Sequence, residues 1–227
     1  MGPLRIGLVA AAVFVAACAH NPAPSPMVST TNGWEILDNL DAWRGYESET
    51  VPRGWTVTNN IISKQRGAGE LMTKKQYGNF ELALDWKISP GGNSGIFYRG
   101  TTEYDHIYWS APEYQLEDNI GAEDNKSPDR WTAADYALYP PSSGKIPTAD
   151  RWNTTRIIVN GAHVEHWLNG KKVVEYELWS PEWTRKVAAS KFHAYPNYGM
   201  AKRGYIAIQG DHPGGLSLRN IRIRELP

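Results

Sequence analysis

The chain has 227 residues, and its 24 Lys and Arg are balanced by 24 Asp and Glu, so the formal net charge is +0. No long run of one sign occurs, which argues against nucleic acid as a partner, because that binding rests on clustered Lys and Arg. Trp (10) and Tyr (12) far outnumber Phe (4); rings carrying a polar atom suit half-wet sugar sites, but they also suit strands, and the bias alone leaves both readings open.

The N-terminus bears on the compartment. Arg5 is followed by an unbroken apolar and small run from Ile6 to Ala17. That run is shorter than the about 20 residues a membrane-spanning helix needs, and it fits the apolar core of a secretory signal. It ends in Val15-Ala16-Ala17-Cys18, which resembles the lipobox of bacterial lipoproteins. The resemblance implies a signal peptide over 1–17 and lipid attachment at Cys18, the sole cysteine. Ala19, not Asp, follows, which favours the outer membrane over inner-membrane retention. Residues 18–32, rich in Pro, Ser, Thr and Ala, are expected to be a flexible tether. The expected location is the bacterial cell envelope, lipid-anchored and facing the periplasm or in the outer membrane. The membrane is then a partner through the lipid alone, since no later stretch is apolar enough to span it.

Residues 33–227, within the size of one all-β domain, read as successive strands. Trp55 to Ile62 mixes β-branched and polar residues and ends at a turn. Phe80 to Ile88 alternates strictly, with Phe80, Leu82, Leu84, Trp86 and Ile88 on one face and Glu81, Asp85 and Lys87 on the other. Gly95 to Arg99 is a short strand entered through Gly91-Gly92-Asn93, and Glu113 to Glu117 alternates again. Asn160-Gly161 and Asn169-Gly170 are two-residue hairpin signals between the strands 156–161, 163–168 and 172–176. Gly204 to Gln209 and Leu216 to Arg224 close the series. Ser127 to Pro147 has no alternation, and a loop that long in a compact domain is usually functional or mobile. The expected fold is all-β, a two-sheet antiparallel sandwich of jelly-roll form.

Glu113-Tyr-Gln-Leu-Glu117-Asp118 is the richest spot for chemistry. On a strand, Glu113, Gln115 and Glu117 share a face while Tyr114 and Leu116 pack inward. Three hydrogen-bonding side chains in a row suit a polyol or a metal, or simply a solvated face. Glu113 and Glu117 stand about 13 Å apart at Cα in a flat strand, far from the ~5.5 Å between carboxyl groups of retaining glycosidases. Asn93 and Ser94 fit turn backbone, and Arg99 has the chemistry to clamp a carboxylate or a sugar hydroxyl. His212, after Gln209, is base, metal ligand or loop filler. Lys74 reads as an exposed lysine.

Taken in order, these segments are joined by Leu71-Met-Thr-Lys74, Tyr77-Gly-Asn-Phe-Glu-Leu82, Gly92-Asn-Ser-Gly-Ile-Phe-Tyr-Arg99, Glu113 to Asp118, His166-Trp-Leu-Asn-Gly170, Gly204 to Gln209, His212 and Leu218-Arg-Asn-Ile221. Together they resemble the 3-keto-disaccharide hydrolase domain family, a concanavalin A-like jelly roll, over about Gly33 to Leu226. The spacer Gly210-Asp211 and the long 127–147 insert depart from its pattern. The resemblance implies action on glycosides oxidised at C3, where a base removes the acidified C2 proton and the C1 aglycone leaves by β-elimination, with the later addition of water left open. It implies Glu113, Asp118 or His212 as base, and Arg99, Lys74 or a bound cation at the enolate oxygen. A divalent metal, if used, is expected on Glu113, Asp118 and His212. Asn93, Gln115, Gln209 and Glu117 are expected to bind the carbohydrate. Three alternatives stay open: a non-catalytic carbohydrate-binding module, a structural cell-surface role, and a laminarinase-type glycosidase, for which Gln115 replaces the central acid.

Overall fold

The computed structural model describes residues 1–2, 30–31, 33–65 and 67–227. The expected signal segment beyond residue 2, Cys18 and most of the tether lie outside the described residues. The strands are β1 (Thr30–Thr31), β2 (Trp34–Ile36), β3 (Trp43–Gly45), β4 (Trp55–Thr58), β5 (Ile61–Lys64), β6 (Leu71–Tyr77), β7 (Phe80–Ile88), β8 (Asn93–Gly100), β9 (Glu113–Glu117), β10 (Asn153–Asn160), β11 (His163–Leu168), β12 (Lys171–Glu177), β13 (Gly204–Ile208) and β14 (Leu216–Glu225). The larger sheet runs β1-β2-β14-β7-β10-β11-β12, with β5 also on β14 and β4 on β5; the smaller runs β3-β6-β13-β8-β9. All pairings are antiparallel, and the expected two-sheet jelly-roll sandwich is the architecture observed.

The core lies between the sheets. From β7 come Phe80, Leu82, Leu84, Trp86 and Ile88; facing them are Ile96 and Tyr98 of β8, Tyr114 and Leu116 of β9, and Ile206 and Ile208 of β13, all buried. Each such side chain contributes roughly 1.5–3 kcal/mol by leaving water. On the outer face of β7, Glu81 pairs with Arg156 of β10 and Arg224 of β14.

Local reading and structure part at a few positions. Residues 55–62 are not one strand but most of a hairpin. Asn59 and Asn60 both take left-handed backbone (φ 51 and 58), the type I′ geometry that matches strand twist. Asn160 pairs with His163, so the turn there is Gly161-Ala162, one residue later than the Asn-Gly signal suggests. The Asn169-Gly170 turn forms as expected, both residues with positive φ. A helix, α1 (Pro181–Ala189), was not anticipated. Ser180 caps it by accepting the Trp183 N–H at 3.1 Å, Pro181 opens it, and Trp183 is its one buried residue.

The long irregular segment after β9 is fastened to that strand. Ala133 N–H donates to Gln115 O (2.9 Å), Gln115 N–H to Ala134 O (3.2 Å) and Tyr136 N–H to Glu113 O (3.0 Å). It thereby covers the outer edge of the smaller sheet, where an exposed row of unpaired backbone groups invites aggregation.

Candidate active site

Alternation gives the smaller sheet a second face, turned away from the core. Since Tyr114 and Leu116 point inward, Glu113 and Gln115 point out. Asn93 does so from β8, and Gln209 follows Ile208 at the end of β13. These four line a cleft of about 220 Å³. Irregular segments supply the rest: Tyr108 and Trp109 after β8, Asp124 and Tyr136 from the long segment, Lys191 from the turn after α1, and His212 after β13.

Glu113 is 6 % exposed. Burial pushes its carboxyl up to about 7, against the lowering pull of Lys191 and His212. Its space comes from Gly95 on the neighbouring strand, because a Cβ there would overlap the Glu113 carboxyl group. With its amide nitrogen toward Glu113, Gln115 donates to Ser94 O (3.0 Å) and to Glu113 Oε1 (3.3 Å), the orientation that satisfies both groups. His212 Nδ1 lies 2.7 Å from Asp211 Oδ1, and that hydrogen bond raises the imidazole above its usual range. Beneath the cleft, Lys64 donates to His212 O (2.9 Å) and Asn93 O (3.4 Å). It is 3 % exposed, and burial lowers its ammonium to about 8. Lys64 thus ties the His212 loop to the head of β8.

The other side of the cleft is aromatic and charged. Tyr136 Oη donates to Asp124 Oδ2 at 2.7 Å, and Asp124 also pairs with Arg130. The Lys191 ammonium stands 4.5 Å from the Tyr136 ring centroid. Trp109 stacks on Tyr195 with centroids 4.0 Å apart, which holds the indole at the rim.

Of the residues singled out from sequence, Glu113, Gln115, Asn93, Gln209 and His212 converge here. Others lie elsewhere, for physical reasons. Left-handed backbone at Arg99 (φ 51) breaks the strand alternation; its guanidinium donates to Gly78 O, Gly161 O and Asn79 Oδ1 and ties down the β10–β11 turn. Lys74 is exposed on β6 and lines no part of the cleft. Asp118 accepts the backbone N–H of Gly91 (2.9 Å) and Ile120 (3.0 Å); burial favours its neutral form, but backbone donors outweigh that and its pKa is lowered. Glu117 is 0 % exposed, and neither carboxylate oxygen has a hydrogen-bond partner.

The expected metal set Glu113, Asp118 and His212 is not gathered: Asp118 lines no part of the cleft and is held on backbone donors, and among the described residues these three do not bring their ligand atoms together. Among the described residues, the group whose carboxylate and imidazole atoms come within 4.8 Å of one another is His163, Glu165 and Glu175 on β11 and β12. Its acids are already shared with Lys172.

Tyr108, Trp109, Asp124, Tyr136 and Lys191 escaped the sequence reading. They sit in segments without periodicity; the 127–147 insert signalled Tyr136, but nothing local marks the other four.

A family model for the 3-keto-alpha-glucoside-1,2-lyase-like domain matches residues 28–224. A 3-keto-disaccharide hydrolase of Bacteroides thetaiotaomicron is 34% identical over 219 residues, which is 82% of this chain and 75% of that protein. Among solved structures, a candidate glycosyl hydrolase of Parabacteroides distasonis superimposes with a TM-score of 0.80 at 28% identity, covering 88% of this chain and 99% of its own. The carbohydrate-binding module CBM66 of Bacillus subtilis, at 11% identity and a TM-score of 0.50 over 85% of this chain and 96% of its own, is alike in fold alone.

Proposed function

The chain belongs to the 3-keto-alpha-glucoside-1,2-lyase-like domain family, and on that premise we propose that it cleaves glycosides already oxidised to a ketone at C3 of the pyranose ring. The observation that carries this reading is Glu113. It is a buried carboxyl raised to about 7 at the back of a polar, aromatic-rimmed cleft. A general base works best when its pKa lies near the working pH, and an ordinary carboxylate is a weak base for a carbon acid.

The ketone acidifies the C2 proton. Glu113 takes that proton, and the C2–H electron pair forms the C2=C3 enolate with negative charge on the C3 oxygen. The enolate then collapses: the C3=O bond re-forms, a C1=C2 double bond appears, and the C1–O bond breaks with its electrons on the leaving oxygen. His212, whose protonated form the Asp211 carboxylate favours, gives that oxygen a proton. Lys191 and the Gln209 amide suit the transient enolate charge. Water adding later across C1=C2 makes the net reaction a hydrolysis; without it the product is an enone. No step is assigned to a metal, because the expected ligands are not gathered.

The domain is proposed to work in the cell envelope, held through a lipid on Cys18. The motif Val15-Ala16-Ala17-Cys18 supports this.

The test is to incubate the protein with a 3-keto-glucoside carrying a chromogenic aglycone and with its unoxidised parent. Release from the keto compound alone supports the proposal. Release from the parent indicates an ordinary glycosidase, and saturable binding without release indicates a carbohydrate-binding module.

A further inference from the structure

The cleft occupies the outer face of the smaller sheet; the outer face of the larger sheet has a different chemistry. Trp34, Trp152 and Trp167 are half-buried there, each with cationic side chains over its ring. Arg222 and Arg224 of β14 stand 5.3 and 4.7 Å from the Trp34 ring centroid. Arg219 and Lys87 stand 3.9 and 5.5 Å from that of Trp152, and Arg156 stands 5.1 Å from that of Trp167. The acids of this region are sunk beneath the bases. Glu81 is 5 % exposed under Arg156 and Arg224, and Asp85 is held by Arg219 (3.2 Å) and Asn220 (2.6 Å). The side chains of Arg156, Arg219 and Arg224 stay 39–40 % exposed, so solvent meets the bases first. We propose that this part of the larger sheet, from β2 across β14 and β7 to β10, is the face on which the domain rests against an anionic phospholipid bilayer.

The residue types fit that partner. Indole rings settle at headgroup level, where the apolar body and the polar N–H are both accommodated, and guanidinium groups bind phosphate through paired N–H donors. A hollow of about 290 Å³ lined by Arg156, Trp167 and Arg222 offers room for a headgroup. Charge also gives the face a direction. Farther across the sheet, β11 and β12 carry Glu165, Glu175 and Glu177 around His163 and Lys172, so that edge is turned from an anionic surface.

The position of the chain's start agrees, and this part rests on the proposed lipid at Cys18. The β1 and β2 strands form the other edge of the same sheet, beside β14. Cys18 precedes Thr30 by 12 residues, which reach at most about 40 Å. A lipid there keeps the basic face within reach of the bilayer. The cleft, on the opposite side of the sandwich, then opens away from the membrane.

The experiment uses residues 30–227 without lipid, so that failure of the anchor and failure of the docking face are separate outcomes. The solved Parabacteroides chain, matched over 99% of its length, shows that such a domain folds on its own. Its partition coefficient is measured by sedimentation with vesicles of phosphatidylcholine, and of phosphatidylcholine mixed with phosphatidylglycerol. At about 0.01 M salt, binding is expected to the mixed vesicles alone, with release by about 0.15 M as screening shortens the reach of the charges; the face orients a domain that the lipid retains. Lys87→Ala and Arg222→Ala are each expected to lower the coefficient about fivefold. Neither residue holds Glu81 or Asp85, so both variants should keep the wild-type melting temperature. Lys74→Ala, on the smaller sheet, should leave the coefficient unchanged. Equal binding to both kinds of vesicle, or losses no larger than that of Lys74→Ala, overturns the proposal. So does an absence of binding, and a dimer that dissociates in Arg222→Ala would then assign the face to a second copy of the chain.

Discussion

Gly95 of β8 and Glu113 of β9 are sterically matched: the Glu113 carboxyl group lies where a side chain on residue 95 would begin. The two strands are hydrogen-bonded neighbours, so the glycine is what allows a carboxyl group to lie flat over the sheet and remain buried.

Gly95→Ala is therefore expected to displace Glu113 while leaving the ladder intact. A misplacement of about 1 Å at a reacting group costs roughly 10²-fold in rate. We expect kcat on a 3-keto-glucoside to fall by about that factor. Wild-type kcat in Gly95→Ala would refute the assignment of Glu113.

Glu113→Gln removes the base and keeps the shape. Turnover should fall by about 10²–10⁴-fold, with the far-UV spectrum unchanged. The pH profile carries its own signature. The base acts deprotonated, so the wild-type rate should climb with pH through about 7, not through the ordinary carboxylate range. A rate already flat from pH 5 upward would exclude Glu113.

Glu117 supplies a stability test of opposite character. Burial raises its carboxyl to about 8, so between the ordinary glutamate range and that value the folded state holds a proton that the unfolded state has released. Stability from this group therefore falls as pH rises through that window. Glu117→Gln has no charge to bury. Its melting temperature relative to wild type should be higher at pH 9 than at pH 5.5; an equal difference at both pH values would show that Glu117 is not held neutral.

Asp118 holds two turns together, not a substrate. Asp118→Ala leaves the N–H groups of Gly91 and Ile120 without their partner, at a cost of about 1–3 kcal/mol. Asp118→Asn keeps one acceptor oxygen and should recover part of that loss in denaturant unfolding. Identical stability of the alanine and asparagine variants would argue against the capping role.

Cys18→Ser tests the proposed anchor. In a bacterial host, the wild-type protein should sediment with membranes and take up labelled fatty acid, while the variant should do neither. Equal labelling of both would remove the lipoprotein proposal.

The sequence by itself determined the sheets and one strand's worth of chemistry. Strict alternation in residues 80–88 and 113–117 states which side chains face the core, because successive Cβ atoms on a strand must point to opposite sides. Glu113 and Gln115 were legible for that reason. The cleft around them was not. Tyr108, Asp124, Tyr136, Lys191 and His212 come from four separate irregular segments, and only closure of the sandwich brings those segments together. Nor does sequence reveal what a side chain is spent on. Asp118 and Arg99 have the right chemistry for catalysis, but a carboxylate beside free backbone N–H groups becomes a cap, and one left-handed residue turns a guanidinium away from the site. Periodicity decides the face; the tertiary fold decides which polar groups on that face remain free to act.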